Sequence, residues 1–201
     1  MEAITVAIAE AKRRGAKRIV CLGDVIGYGA CPREALNLVR QKCEWCLFGN
    51  HEEALLSGGE DFNEKARAAI EWTRSVLSSR DFPREENYAI WDFLDALQSQ
   101  TERREENAMF VHGSPFDPVR EYVMPRDSRN AQKMARIFGK QDRQLCFVGH
   151  SHVPGSTRRT AASSSPTRSA ARSARVTTAR RSSSTWARSD SHATATRGFH
   201  L

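Results

Sequence analysis

Residues 145–152 read LCFVGHSH. The first four residues are apolar and predict a short buried strand that ends at the glycine. Two histidines, His150 and His152, follow at once. Because they are one residue apart in an extended turn, their side chains point to different sides and could serve different ligands. Histidine is the commonest metal ligand in proteins, so this stretch predicts a metal site at the end of a strand.

Three further stretches repeat this arrangement of an apolar run followed by polar residues. They are GDVIG at 23–27 after a predicted strand at Arg18–Leu22, GNHE at 49–52 after Trp45–Phe48, and HG at 112–113 after Ala108–Val111. Taken singly, each has an ordinary alternative: Asp24 could cap a turn, and His112 could be a hydrogen-bonded core residue. Four such occurrences, each directly after a strand, favour one shared functional site.

Apolar residues at helical spacing predict helices before and between these strands. The predicted helices lie at about Ile4–Ala11, Pro32–Lys42, Asn63–Leu77, Arg84–Gln98 and Ser128–Phe138. Strands that alternate with helices predict parallel pairing in an α/β domain. In such sheets ligands bind beyond the carboxyl ends of the strands, which is where the four polar stretches begin.

The net charge of +7 is concentrated at one end of the 201-residue chain. Residues 156–201 contain nine Arg and one Asp, so residues 1–155 are close to neutral. The same segment is rich in Ser, Thr, Arg and Ala without apolar periodicity, a composition that predicts disorder. We therefore predict a folded domain at 1–155 and a disordered tail at 156–201, whose composition is also that of a GC-rich gene read out of frame.

The five cysteines are odd in number and lack framework spacing, which predicts reduced thiols and a cytoplasmic protein. Cys43 and Cys46 form a CxxC pair that could be redox-active or half of a zinc site. We expect instead that Cys46 lies in a buried strand and that Cys43 ends the preceding helix. The N-terminus is not typical of a signal peptide, and no apolar run reaches the ~20 residues of a membrane span.

The polar residues of the four stretches combine carboxylate oxygen, amide oxygen and imidazole nitrogen. This donor set suits Mn, Fe, Zn or Ni better than Mg or Ca. Two such ions roughly 3.5–4 Å apart can clamp a phosphoryl group and activate a bound water. Metal-assisted hydrolysis of a phosphate ester is therefore the leading hypothesis.

These motifs resemble those of the calcineurin-like metallophosphoesterases, especially the small bacterial and archaeal phosphodiesterase and protein-phosphatase-like members. The resemblance covers residues 1–155 and rests on GDVIGYG at 23–29, GNHE at 49–52, HGSP at 112–115 and GHSHVPG at 149–155. It implies a two-sheet β-sandwich flanked by helices. It also implies hydrolysis of a phosphate mono- or diester by hydroxide generated at the metal ions.

The resemblance also implies roles for individual residues. The metal ligands would be Asp24, Asn50, His112, His150 and His152. Among them, Asp24 would bridge two ions, His152 would bind the first ion, and the other three would complete the second site. His51 would be catalytic rather than a ligand, because it would contact the phosphate and protonate the leaving oxygen.

The chain departs from the family pattern at both ends. No Asp-x-His motif precedes Asp24, and the tail stands where further strands would follow. We therefore expect a fold that is incomplete at both ends and a site that holds one ion rather than two. Two alternatives remain: a catalytically impaired, truncated copy of such an enzyme, or a nucleic-acid-binding protein that uses the basic tail. The expected partner is a phosphate-ester substrate, with no membrane and with nucleic acid bound only non-specifically through the tail.

Overall fold

The structure is a computed structural model that describes residues 1–158 and the backbone of residues 175–177. The helices of this part of the chain are α1 (Glu2–Arg13), α2 (Pro32–Lys42), α3 (Asn50–Ser57), α4 (Glu64–Leu77), α5 (Arg84–Leu97) and α6 (Ala131–Lys140). Its strands are β1 (Glu102–Arg104), β2 (Ala108–Val111), β3 (Leu145–Val148), β4 (Ser156–Arg158) and β5 (Arg175–Thr177). Helices and strands are mixed along the chain, so the predicted α/β class is confirmed.

The strands form one mixed sheet in the order β1-β2-β3-β5-β4. β2 and β3 pair in parallel with Val111 opposite Val148, and β5 is parallel to β3 on its other side. β1 and β4 run antiparallel to their neighbours β2 and β5. The backbone nitrogen of Gly149 donates to the carbonyl oxygen of His112 at 2.9 Å, one step beyond the strand ends. His112 and His150 therefore leave the sheet side by side.

The two segments predicted as strands at 18–22 and 45–48 are joined by a single parallel bridge, between Cys21 and Cys46. The backbone nitrogen of Cys21 donates to Trp45 at 3.0 Å, and that of Leu47 donates to Cys21 at 2.9 Å. The pairing stops early because Gly23, at a φ of 93°, turns the first segment away. Since the segments are parallel, the residues that follow them emerge at the same end.

The core lies between the helices and under the sheet. One cluster joins the apolar faces of α2 to α5 and includes Leu36, Leu55, Ile70, Leu77, Ile90 and Leu94. A second cluster packs one face of β2 and β3 and includes Met109, Val111, Cys146 and Val148. In α4 the buried residues Ala66, Ile70, Thr73 and Leu77 follow the helical period, as the sequence predicts. Asn63 caps this helix by accepting a hydrogen bond from the backbone nitrogen of Ala66.

The structure differs from the sequence-based expectation in several elements. Strand β1 lies in the charged stretch 98–107, where the sequence pattern predicts neither a strand nor a helix, and α3 was not predicted. The helix predicted from Ser128 begins at Ala131, after a 3₁₀ helix at Pro125–Arg129. Cys46 is buried and Cys43 caps the C-terminus of α2, as expected.

The predicted disordered tail falls mostly outside the described residues. The parts of it that the structure does describe are β4 and the backbone of β5, which pair as antiparallel strands. The proposed non-specific contact of the tail with nucleic acid also lies outside the described residues. In the described part of the chain, no helix is both long enough and apolar enough to cross a membrane.

Candidate metal centre

Four side chains, each from just beyond a different strand or extended segment, converge on one point. The Nε2 atom of His112 lies 3.1 Å from Oδ1 of Asn50 and 3.1 Å from Nδ1 of His150. It also lies 3.1 Å from Oδ2 of Asp24. The ligand atoms of Asp24, His112 and His150 are all within 4.8 Å of one another. The structure thus brings together four of the six residues that the sequence singled out.

In His112 and His150, the ring nitrogen that faces away from the cluster contacts a backbone carbonyl oxygen, which shows that this nitrogen carries a proton. Nδ1 of His112 lies 2.7 Å from the carbonyl oxygen of Leu22, and Nε2 of His150 lies 3.1 Å from that of Arg120. A carbonyl oxygen only accepts hydrogen bonds, so both of these nitrogens carry a proton. In the neutral ring, each nitrogen that faces the cluster presents a lone pair, as do the oxygens of Asp24 and Asn50. Four converging lone pairs need a cation between them, and histidines anchored in this way are typical of metal ligands.

The backbone is strained at three of the sequence-predicted ligands. Asp24, His150 and His152 have φ values of 55°, 56° and 53°, and they are the non-glycine residues with positive φ in the described part of the chain. L-residues adopt this left-handed conformation rarely, and such residues cluster at functional sites. The strain follows from the abrupt turn each loop makes directly after its strand or extended segment.

Burial and the charges of neighbouring residues shift the pKa values of Asp24, His112 and His150. Burial alone would raise the pKa of Asp24, but the hydrogen bond and charge of His112 outweigh it and lower that pKa. Burial would lower the pKa of His112, but the hydrogen bond and charge of Asp24 outweigh it and raise that pKa. Burial and the nearby charge of His112 lower the pKa of His150 to about 4. Without a metal, the cluster therefore holds its proton at His112, where a metal would replace it.

His51 lies beside this cluster but is not part of it. The residue is 8% exposed, and its ring lies edge-on to the rings of Tyr28 and Phe62, with centroid distances of 4.8 Å and 5.1 Å. Its Nδ1 has no hydrogen-bond partner among the described residues. The backbone nitrogen of His51 donates to Oδ1 of Asp24 at 3.0 Å, which places the ring at the edge of the cluster. Burial is the main reason that its pKa is lowered, which favours the neutral ring.

His152 is the sequence-predicted ligand that the structure leaves apart. Its side chain is exposed, and it does not join the group of Asp24, His112 and His150. It lines a neighbouring opening with those three residues, so it faces the same region from the solvent side.

Comparisons with known proteins agree with this geometry. The sequence profile of calcineurin-like phosphoesterases matches residues 2–165. The chain belongs to the calcineurin-like phosphoesterase family. The match extends ten residues beyond the predicted domain boundary at 155, and that boundary stays a prediction.

Three individual proteins from different organisms are similar to this chain. An uncharacterized protein of Methanocaldococcus jannaschii is 34% identical over 160 residues, which is 77% of this chain and 58% of that protein. A crystal structure of a metallophosphoesterase from Sphaerobacter thermophilus is 34% identical, with a TM-score of 0.53 over 77% of this chain and 59% of that one. A hypothetical protein from Pyrococcus horikoshii shares the fold at 15% identity, with a TM-score of 0.56 over 77% of this chain and 65% of that one. The chain thus spans about three-fifths of the length of the relatives it matches at 34% identity.

The candidate metal centre contains one organising residue to which the sequence pattern assigned no role. Glu52 is fully buried, and its carboxylate accepts hydrogen bonds from the backbone nitrogens of Gly49, Asp24, Val25 and Ile26 at 2.8–3.3 Å. Burial, with the charge of Asp24, raises its pKa to about 7, while the backbone donors act against this shift. The signal in the sequence was its place directly after His51 in the stretch GNHE.

Two glycines let the loop that carries Asp24 and the loop that carries Asn50 touch at the candidate metal centre. A methyl group on Gly23 would lie 2.8 Å from the backbone nitrogen of Gly49 and 2.9 Å from its Cα. A methyl group on Gly49 would in turn collide with the carboxylate and backbone nitrogen of Asp24. Only glycine allows this approach, and it is this approach that brings Asp24 and Asn50 to the same point.

Proposed function

We propose that this chain is a metal-dependent phosphoesterase that hydrolyses a phosphate mono- or diester. The observation that carries the proposal is the convergence of four lone-pair atoms on one point, with both histidines anchored by backbone carbonyls. Membership of the calcineurin-like family supports the same reaction class. The substrate would be a phosphate ester that enters from the cleft beside His51.

The metal would be held by Asp24, Asn50, His112 and His150. Their mixed oxygen and nitrogen donors favour Mn, Fe, Zn or Ni. A bound ion would polarise a phosphoryl oxygen and lower the pKa of a coordinated water. His152 would serve a second, weaker site, because it lies outside the group in which the other ligands meet.

His51 would act on the leaving group. It is adjacent to the ligand cluster and borders the open cleft, so a substrate phosphate held at the cluster would lie near its ring. The negative charge of that phosphate would raise the pKa of His51. His51 could then donate a proton to the leaving oxygen, as a positioned general acid does.

The position of His152 favours a second candidate, a catalytically impaired member of the family. In that case one ion would bind and hydrolysis would be absent, because two ions act together in the complete family site. Both the active and the impaired enzyme would bind metal, but only the active enzyme would hydrolyse a phosphate ester.

The test is hydrolysis of bis(4-nitrophenyl) phosphate and 4-nitrophenyl phosphate after loading with Mn, Fe, Zn or Ni. We expect release of 4-nitrophenol with at least one metal, and its loss in Asp24→Asn. Asp92→Asn, an exposed position on α5, is the matched control and should keep full activity. Metal uptake without hydrolysis of either ester would reject the active enzyme in favour of the impaired one.

We also propose a cytoplasmic location. All five cysteines are free thiols in the structure, including Cys21 and Cys46 at the bridge between neighbouring segments. Free cysteines in such number fit a reducing compartment. Fractionation of cells that express the chain from its own gene tests this location.

A further inference from the structure

A cleft of about 300 Å³ opens directly beside the candidate metal centre. It reaches the centre at His51 and His150, and its far wall is formed by the loop at 57–63. This volume is at the lower end of the range for small-molecule sites. An ester whose phosphate lies at the centre would therefore place its leaving group in this cleft.

The cleft has three aromatic side chains in its lining, Tyr28, Phe62 and Tyr122. Tyr28 and Phe62 meet the ring of His51 edge-on, and Tyr122 stacks on the ring of His150 at a centroid distance of 3.6 Å. Tyr28 and Tyr122 are 51% and 52% exposed, so each keeps much of its ring surface in contact with solvent. Such surfaces beside a small cleft offer stacking partners to a planar group.

The charges of the cleft act against an anionic leaving group. Three carboxylates line it, those of Glu53, Glu60 and Asp61, against a single Arg or Lys among the lining residues, Arg120. Nε of Arg120 pairs with Glu53 at 2.7 Å, and its Nη1 pairs with Asp61 at 2.8 Å. Arg120 is therefore already engaged, and the cleft keeps a net negative charge. A second phosphate or a carboxylate on the leaving group would be repelled there.

We propose that this cleft selects phosphate esters whose leaving group is planar, aromatic and uncharged, such as an aryl alcohol or a nucleoside. The proposal rests on the proposed phosphoesterase function, since it assigns the substrate class of that same site. Tyr28 and Tyr122 determine the preference for planarity. The excess of carboxylates determines the preference against charge.

The first arm of the test measures binding without turnover. The manganese-loaded protein is titrated calorimetrically with benzylphosphonate and with cyclohexylmethylphosphonate, which share a carbon skeleton but differ in planarity. We expect benzylphosphonate to bind at least tenfold more tightly. Tyr28→Ala and Tyr122→Ala should each reduce that ratio, and Tyr28→Phe should restore it. Tyr88→Ala, at an exposed tyrosine on α5 outside this cleft, is the control and should keep the ratio.

The second arm measures hydrolysis. Benzyl phosphate should be hydrolysed with higher kcat/KM than cyclohexylmethyl phosphate, which tests planarity, and than 4-carboxybenzyl phosphate, which tests charge. Adenosine 5′-monophosphate is measured beside these three monoesters. A higher value for the adenosine monoester than for benzyl phosphate would assign a nucleoside as the leaving group, and the reverse an aryl alcohol.

The two arms separate this inference from the proposed function. Equal affinity for the two phosphonates, or equal hydrolysis of benzyl phosphate and 4-carboxybenzyl phosphate, overturns the cleft preference while hydrolysis stands. Selective binding of benzylphosphonate without hydrolysis of any ester keeps the cleft preference and rejects the active enzyme.

Discussion

The buried carboxylate of Glu52 accepts a hydrogen bond from the backbone nitrogen of Asp24 at 2.8 Å, across 28 residues of sequence. The same oxygen accepts from the backbone nitrogen of Gly49 at 3.0 Å. One side chain thus ties the loop that carries Asp24 to the loop that carries Asn50. The position of two candidate ligands depends on a residue that touches no metal.

Glu52→Gln should therefore weaken metal binding. The amide keeps the shape of the side chain but turns one of the two acceptors into a donor that faces backbone N–H groups. Losing such support around ligands typically costs about 10–100-fold in metal affinity. Leaving buried N–H groups without an acceptor costs about 1–3 kcal/mol of unfolding free energy. Metal titration and urea unfolding measure the two effects, with Glu71→Gln on the exposed face of α4 as the control. Wild-type metal affinity in Glu52→Gln would show that the loops hold their positions without this carboxylate.

Two glycine-to-alanine changes should have opposite effects on stability. Gly23 has a φ of 93° and lies against the backbone of Gly49, so Gly23→Ala adds strain and a collision. We expect a loss of about 1–3 kcal/mol of unfolding free energy and of metal binding. Gly139 lies in α6, and no atom lies within 4 Å of its added methyl group. Gly139→Ala should gain about 0.5–1 kcal/mol. Thermal unfolding distinguishes the pair, and a stable Gly23→Ala that binds metal normally would contradict the close approach of the loops.

His51→Ala should lower turnover and leave metal content unchanged. The ring borders the ligand cluster without joining it, and its proposed role is that of a general acid. Removing such a group lowers kcat by about 10²–10⁴. The comparison of kcat with metal content per chain measures both parts. Loss of metal in this variant would mean that His51 is a ligand.

The unfolding free energy of the metal-free protein should depend on pH. His150 and His112 should contribute to this dependence with opposite signs. The pKa of His150 is lowered from 6.5 to about 4, so between these values the unfolded chain binds a proton that the folded chain does not. Stability from this residue is therefore lost as the pH falls through that window. The pKa of His112 is raised above 6.5, so its stability is present below 6.5 and lost as the pH rises through its folded-state pKa. Urea unfolding of wild type and His150→Asn should differ in slope on the acid side of pH 6.5. Equal slopes would contradict the burial of His150.

The sequence predicted best those elements that periodicity defines. The sequence predicted to within a residue the strands Ala108–Val111 and Leu145–Val148 and the helix from Asn63 to Leu77. In these elements the buried side chains are the apolar residues whose spacing forms the sequence pattern. The convergence of Asp24, Asn50, His112 and His150 was predictable as well, since parallel strands deliver their last residues to one edge. The helix α3 was missed, because it begins at Asn50 inside the motif and is only eight residues long.

Contacts between loops that are far apart in the sequence were not predictable. Three of the four hydrogen bonds of Glu52 require the loop at 23–26 to fold back on it, and no local pattern encodes that approach. The stacking of Tyr122 on His150 depends in the same way on a loop between β2 and α6. The separation of His152 from the cluster follows from the turn after β3, where both histidines adopt positive φ.

Counting metal ions per chain tests the central claim most directly. The protein is equilibrated with excess manganese, passed through a desalting column and analysed by inductively coupled plasma mass spectrometry. The three atoms that lie 3.1 Å from Nε2 of His112, together with Nε2 itself, predict about one tightly held ion per chain in wild type. They predict the loss of that ion in His112→Asn and its retention in His152→Asn. Wild-type protein without bound ion, or His112→Asn that keeps it, would contradict the assignment of this cluster as a metal centre.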